Sequence, residues 1–274
     1  MSTTESKLML ALNAGETPRR PHALHAIAAF VWRSWRGTLK MLHYLAIDVL
    51  IFPVIFLLIF TYLFGGAISG GTGAYLQYLL PGMLVYTVTS MTVYIGIGIK
   101  NDIDRGVFNR FRTLPFWQPA AIIGTMLIQL LTYTSALITT ILLGMALGFR
   151  PEAGIIGVLS GLIFVVLYAF CLSWLFAFIG VIAKKVESIT SMTYIVLYPL
   201  LFTSNVFVDT STMPDWLGPI IAWNPISLAS TAARGLMHGS ASFGDLASAL
   251  AVMAVFALVF APLTFRAYRR KGSQ

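Results

Sequence analysis

The sequence predicts an all-α integral membrane protein with six transmembrane helices, and three observations carry that reading. Hydrophobic residues make up 58% of the 274-residue chain and charged residues only 10%, against about 25% charged in a soluble domain. Six stretches approach or exceed the roughly 20 apolar residues that a helix needs to cross a bilayer. The basic residues also segregate. Of 18 Lys and Arg, only Arg150 and Arg234 fall outside the N-terminal segment, the Lys100–Trp117 loop, the Lys184–Glu187 loop and the tail. Cytoplasmic loops collect Lys and Arg, so this asymmetry places both termini in the cytoplasm. A seventh crossing would strand Arg266, Arg269, Arg270 and Lys271 outside.

The elements follow in chain order. Residues 1–24 read as a flexible cytoplasmic segment without the short apolar run and small-residue site of a cleaved signal peptide. Residues 25–274 read as a single transmembrane domain. His25–Lys40 is amphipathic at helical spacing: Arg33, Arg36 and Lys40 cluster, and Ile27, Val31, Trp32, Trp35 and Leu39 cover the other arc. A basic stripe beside tryptophans suits a helix lying along the inner leaflet, in contact with membrane lipids. The spans are Leu42–Leu63, Leu79–Ile99, Ile122–Leu147, Ile155–Ala183, Ile189–Val208 and Leu246–Phe265. Pro53 and Pro199 are tolerable in helices packed among neighbours. Between the fifth and sixth spans, Trp216–Trp223 and Ile226–Met237 are apolar but short, and Pro214, Pro219, Asn224, Pro225 and Arg234 interrupt them. Such pieces read as external re-entrant half-helices over residues 209–245, with Pro225 starting a fresh helix after Asn224.

Chemistry-bearing patterns are sparse. Cys171 is the one cysteine, and the histidines His22, His25, His43 and His238 are scattered, so no metal site is indicated. The positive charge belongs to the membrane surface rather than to nucleic acid. Asn101-Asp102-Ile103-Asp104 resembles the aspartate-rich motif of membrane prenyltransferases, but its spacing is one residue short and it lacks a second cluster. Asp48 is the one carboxylate inside a span, either functional or paired with Lys40 or His43. An ion-coupled secondary transporter would ordinarily need more such groups. Thr87, Thr89, Ser90 and Thr92, with Tyr86 and Tyr94, either line a substrate groove or bond helix to helix. Gly154, Gly157 and Gly161 form a small-residue packing face. Arg234 reaches a lipid headgroup, an anionic substrate, or a carboxylate such as Asp215.

The densest polar interruption is Lys100–Pro115, KNDIDRGVFNRFRTLP. On a helical wheel Ile103, Val107, Phe108 and Phe111 share a face edged by Asp104. Asp102, Arg105, Asn109, Arg110 and Arg112 occupy much of the rest. Exposed aromatics among charges suit docking to a protein partner, or a rest on the bilayer surface.

Asp104-Arg105-Gly106-Val107-Phe108-Asn109-Arg110-Phe111-Arg112-Thr113-Leu114-Pro115 resembles a segment of the type-2 ABC export permeases. That family includes membrane subunits of daunorubicin-type drug exporters and of O-antigen, teichoic acid and nodulation-factor exporters. Met213-Pro214-Asp215-Trp216-Leu217 resembles the family's M-P-x-W-L. Asn224-Pro225-Ile226-Ser227, followed by Arg234 and Gly239, resembles its N-P-[IL]-[ST]…R…G pattern. Asn109, Leu114 and Asn205 depart from the residues usual there. The resemblance implies that Lys100–Pro115 is a coupling helix seated in a separate ATP-binding subunit. Phe108 and Phe111 would anchor it, Asp104, Arg105, Arg110 and Arg112 would make polar contacts, and Gly106 would allow close approach. It further implies two ATPase subunits holding ATP and Mg²⁺, and a second permease chain, identical or paralogous, in a bacterial inner membrane. The sequence contains no G-x-x-x-x-G-K-[ST] motif, so ATP is not cradled here by that route. The apolar, aromatic spans favour an amphipathic drug or lipid as cargo over a lipid-linked polysaccharide.

Overall fold

The computed structural model describes residues 31–32, 35–36, 51–105, 120–210 and 213–271. Among these the chain is helical, with no strand. A first helix comprises α1 (Phe52–Ile59), a π-helical turn (Phe60–Phe64) and α2 (Gly65–Ser69). Then follow α3 (Thr72–Met91), α4 (Val93–Asp104), α5 (Ala120–Ala146), α6 (Gly154–Ile182) and α7 (Val186–Phe202). A 3₁₀ turn at Asp215–Leu217 leads into α8 (Gly218–Trp223), α9 (Pro225–His238) and α10 (Phe243–Lys271).

Four helical stretches are long and apolar enough to cross a membrane: Thr72–Asp104, Ile122–Ala146, Gly154–Ile182 and Phe243–Arg270. Phe52–Ile68 and Val186–Phe202 are shorter apolar helices that overlap the expected first and fifth spans. Large apolar side chains lie open on the outside, among them Leu142, Ile156, Ile163, Ile195 and Leu258. Lipid is the medium that tolerates such a surface.

The expected second span begins earlier and ends later than its hydropathy suggested. α3 and α4 together run 33 residues, roughly 50 Å at 1.5 Å per residue, well beyond a ~30 Å hydrocarbon core. The excess at its C-terminal end carries Lys100, Asn101, Asp102 and Asp104. The polar segment at Lys100 is therefore at first a continuation of the span, with no separate helix beginning there. Lys100 is 5% exposed and pairs with Asp104 one turn on. The pairing keeps a buried ammonium neutralised as the helix leaves the apolar zone.

α6 is the hub, packing against α3, α4, α5, α9 and α10. Two glycine contacts allow this. A Cβ on Gly180 would stand 2.7 Å from Gly96 Cα, and one on Gly96 would stand 2.7 Å from the Phe176 carbonyl oxygen, so α4 and α6 cross backbone to backbone. Gly157 and Gly161, the small-residue face read from the sequence, lie under the Leu236 carbonyl and the Met237 side chain of α9. Gly154 has a different task, opening α6 at φ 62°.

Candidate functional site

The site is an aromatic cleft held open by a hydrogen-bonded cap at one end of the bundle. The cap is built on the first turns of α3. Gln77 donates to the Gly148 carbonyl (3.0 Å) and accepts from the Arg150 amide (2.9 Å), fixing the α5–α6 turn. The Tyr75 hydroxyl donates to the Phe207 carbonyl at 2.9 Å, and the Tyr78 hydroxyl lies 2.8 Å from the carbonyl of Asn205. Asn205 in turn donates from its amide to Ser227 Oγ (3.2 Å) and from Nδ2 to Thr231 Oγ1 (2.8 Å). Arg234 completes the assembly. Its Nε donates to the Tyr78 carbonyl and an Nη to the Asn205 carbonyl, each at 3.1 Å, and its guanidinium lies 3.7 Å from the centre of the Tyr78 ring. Asp209 is the carboxylate near enough to act on it electrostatically. Arg234 thus ties α9, α3 and the 203–208 loop together.

α9 starts where the sequence placed it. Asn224 is its N-cap, accepting from the Ile226 amide at 2.9 Å, with Pro225 at the position where a missing N–H costs nothing. The same side chain donates to the carbonyls of Leu200 (2.6 Å) and Thr203 (3.2 Å), which the end of α7 leaves without helical partners. One buried amide therefore closes one helix and opens another. Asn224→Ala removes both functions, and we expect a stability loss of about 2–3 kcal/mol. Asn224→Asp keeps the cap but sets a carboxylate against two carbonyls, and should fare no better. Thermal midpoints in detergent check both. Trp216 and Trp223, at 70% and 83% exposure, face outward. Pro214 sits in extended backbone before them.

The cleft lies between α1, α3–α4 and α7 and has a volume of about 270 Å³. Phe52, Tyr86, Tyr94, Tyr194 and Tyr198 are its aromatic walls. Two columns of rings rise beside it. Phe52, Phe56, Phe60 and Phe64 recur every fourth residue with centroid separations of 4.5, 5.8 and 5.3 Å. Tyr194, Tyr198 and Phe202 repeat the spacing on α7 at 5.2 and 6.3 Å. Phe207 joins cleft to cap, stacking on Phe60 at 4.5 Å and lying edge-on to Tyr86 at 6.0 Å.

The structure brings Tyr86 and Tyr94, both named from the sequence, together in this cleft and separates Thr89 from them. Thr89 is buried and faces a second cavity behind α7. The hydroxyls of Thr87, Thr89 and Thr92 donate to the carbonyls of Met83, Val85 and Thr89 in their own helix, while Thr87 and Ser90 line the cleft and Thr89 Oγ1 also lies 3.4 Å from the Tyr168 hydroxyl of α6, a contact from helix to helix. That satisfies the donors locally and leaves methyl groups to the surroundings. Asp104 is half exposed and engaged by Lys100, and Arg105 ends α4 exposed. Gly106, Phe108, Arg110, Phe111 and Arg112 lie outside the described residues, as does Asp48. Of the amphipathic N-terminal segment, 31–32 and 35–36 are described and helical. There Arg36 lies 5.2 Å over the ring of Trp32, so the basic and aromatic stripes meet along one edge.

The sequence reading missed Phe52, Tyr78, Tyr194 and Tyr198 as site residues. The four-residue aromatic repeats were a visible signal. The role of Tyr78 was not, because it arises from contacts to residues 127 and 156 positions away.

Four helical stretches long and apolar enough to cross a membrane, with two shorter apolar helices beside them, mark a multi-pass membrane protein. The family profile described as ABC-2 type transporter matches residues 25–238, and the chain belongs to that family. It is 47% identical to the daunorubicin resistance ABC transporter permease protein DrrB1 of Streptomyces coeruleorubidus, over 99% of this chain and 96% of that protein. It is 20% identical to the probable doxorubicin resistance ABC transporter permease protein DrrC of Mycobacterium tuberculosis, strain CDC 1551 / Oshkosh, over 100% of this chain and 99% of that one.

Proposed function

We propose that this chain is the permease subunit of an ATP-driven exporter for planar, amphipathic aromatic drugs. The observation that carries the reading is the cleft walled by Phe52, Tyr86, Tyr94, Tyr194 and Tyr198. Flat aromatic molecules stack on such rings, and two relatives are named for daunorubicin resistance and probable doxorubicin resistance. At about 270 Å³ the cleft falls just below the size of a drug pocket, which suits one half of a site completed by a second permease chain. A polysaccharide cargo has no counterpart in it.

Six crossings with both termini cytoplasmic accord with the segregation of basic residues, and α8 and α9 become external half-helices. The chain enters the outer half of the bundle through α8 and returns along α9. That path fits α9 running from the level of Thr89, where Ile226 lines the second cavity, to the level of Gln77 beside His238. The ATPase subunits, with ATP and Mg²⁺, dock on Lys100–Pro115. Their motion enters through α4, whose last turn is stiffened by the Lys100–Asp104 pair and whose opposite end carries Tyr94 into the cleft.

The test is co-expression with the ATPase and assay of drug-stimulated ATP hydrolysis. Phe108→Ala with Phe111→Ala should abolish co-purification. Tyr198→Ala should leave the complex intact and raise the half-stimulating drug concentration roughly three- to tenfold, from about 0.5–1.5 kcal/mol per aromatic contact. A complex that hydrolyses ATP but ignores planar aromatic drugs would end this reading.

A further inference from the structure

We propose that the second cavity, behind α7, holds one acyl chain of an anionic membrane phospholipid. It has a volume of about 240 Å³ and lies between α6, α7, the start of α9 and α10. Its walls are made by side chains such as Leu172, Leu175, Ile179, Val196, Leu197 and Phe256. The Thr89 and Thr193 hydroxyls on those walls donate to the Val85 and Ile189 carbonyls of their own helices, and the Tyr168 hydroxyl is taken up by Thr89 Oγ1 at 3.4 Å. The slot therefore offers a polar ligand no free donor there, and its occupant is hydrocarbon.

Its shape narrows the choice. Along α6 the slot extends from Tyr168 to Ile182, roughly 21 Å at the helical rise, enough to take a chain from one leaflet of a ~30 Å core. About 240 Å³ spread over that length is a narrow channel, so a single chain fits and a fused ring system does not. Its rim is open sideways: Ile182, Met192 and Val196 are 50%, 55% and 57% exposed on helices that face lipid. Directly after the rim residue Ile182 come Ala183 and the exposed pair Lys184 and Lys185. An acyl chain in the slot would bring its headgroup to these ammonium groups. Long basic side chains at a helix end reach that level, where they favour a negatively charged headgroup.

α7 depends on this occupant. Only Ile189, Thr193 and Leu201 of its 17 residues are buried, and Thr193 and Leu197 border both cavities. A chain in the slot gives α7 a packed back while its other face lines the aromatic cleft.

Native mass spectrometry of the permease released from vesicles of equal phosphatidylglycerol and phosphatidylcholine tests the assignment. The unaltered protein should retain a phospholipid, phosphatidylglycerol over phosphatidylcholine. Val196→Trp, which plugs the rim, should lose it, while Ile195→Trp, one residue along on the open face, should keep it. Lys184→Gln with Lys185→Gln should lower the phosphatidylglycerol preference roughly tenfold, each lysine at an anionic surface contributing a severalfold preference. Equal retention by the two tryptophan variants overturns the slot. An undiminished preference in the lysine variant overturns the anionic headgroup. Should Val196→Trp fail to fold, the lysine variant, altered only at exposed positions, decides the question.

Discussion

Gly180→Leu is expected to prevent stable assembly of the bundle, and Gly180→Ala to lower its thermal midpoint sharply. At this crossing the neighbouring groups are backbone: an added Cβ meets Gly96 Cα at 2.7 Å and the Gly96 carbonyl carbon at 2.9 Å. Flexible side chains can step aside, but two helical backbones can separate only by unpacking their whole contact. Overpacking ordinarily costs about 1–3 kcal/mol, and a backbone clash belongs at or above the top of that range. α6 is also the helix against which most of the others pack. Gly98→Ala provides the contrast. It lies on the same α4, yet a Cβ there meets nothing within 4 Å, and alanine is favoured over glycine in a helix by about 1 kcal/mol. That variant should match or exceed the original midpoint. Size-exclusion profiles after graded heating in detergent separate the outcomes. A Gly180→Ala protein as heat-resistant as the original would show that the crossing is not tight.

The second large effect concerns Arg234. Arg234→Met preserves much of the side chain's bulk and removes two charge-assisted hydrogen bonds, each worth about 1.5–3 kcal/mol, together with the stacking on Tyr78. The carbonyls of Tyr78 and Asn205 lose a donor. We expect a loss of roughly 3 kcal/mol or more, seen as earlier aggregation on heating. Arg234→Lys should recover less than half of it. A compact ammonium cannot bond two carbonyls in a fixed fork while lying flat on a ring. A lysine variant indistinguishable from the original would mean that only positive charge matters, and would revive a headgroup or anionic cargo as the partner of this residue. Drug-stimulated hydrolysis should fall with stability in both variants, because Phe207, in the loop that Arg234 pins, stacks on Phe60 beside the cleft and lies edge-on to Tyr86 in its wall.

Sequence and structure agree where a local rule governs and part where distant groups meet. Asn224-Pro225 was readable because capping and proline geometry are set within a few residues. The small-residue face at Gly157 and Gly161 was readable because close packing in lipid favours small side chains. The end of the second span was not, since hydropathy falls at Lys100 whereas the helix continues. A lysine paired four residues ahead can stay helical and buried, and hydropathy does not register pairing. Arg234 invited three partners, an anionic substrate, a lipid headgroup or a carboxylate such as Asp215; it takes two carbonyls and an aromatic face, with Asp209 the carboxylate that acts on it. Asn205, notable at first only as a departure from the family's usual residue, proved to be where the loop, α3 and α9 meet.

The sequence by itself determined the solvent, the helical class, the apolar segments and the family, because each is written in composition, periodicity or short motifs. Which side chains share a cavity was decided only by the tertiary structure. Tyr86 and Thr89 are three residues apart on one helix and serve different cavities. The direction each takes depends on where α7 lies, and the placement of α7 depends on contacts made more than twenty residues away in the chain at Asn224.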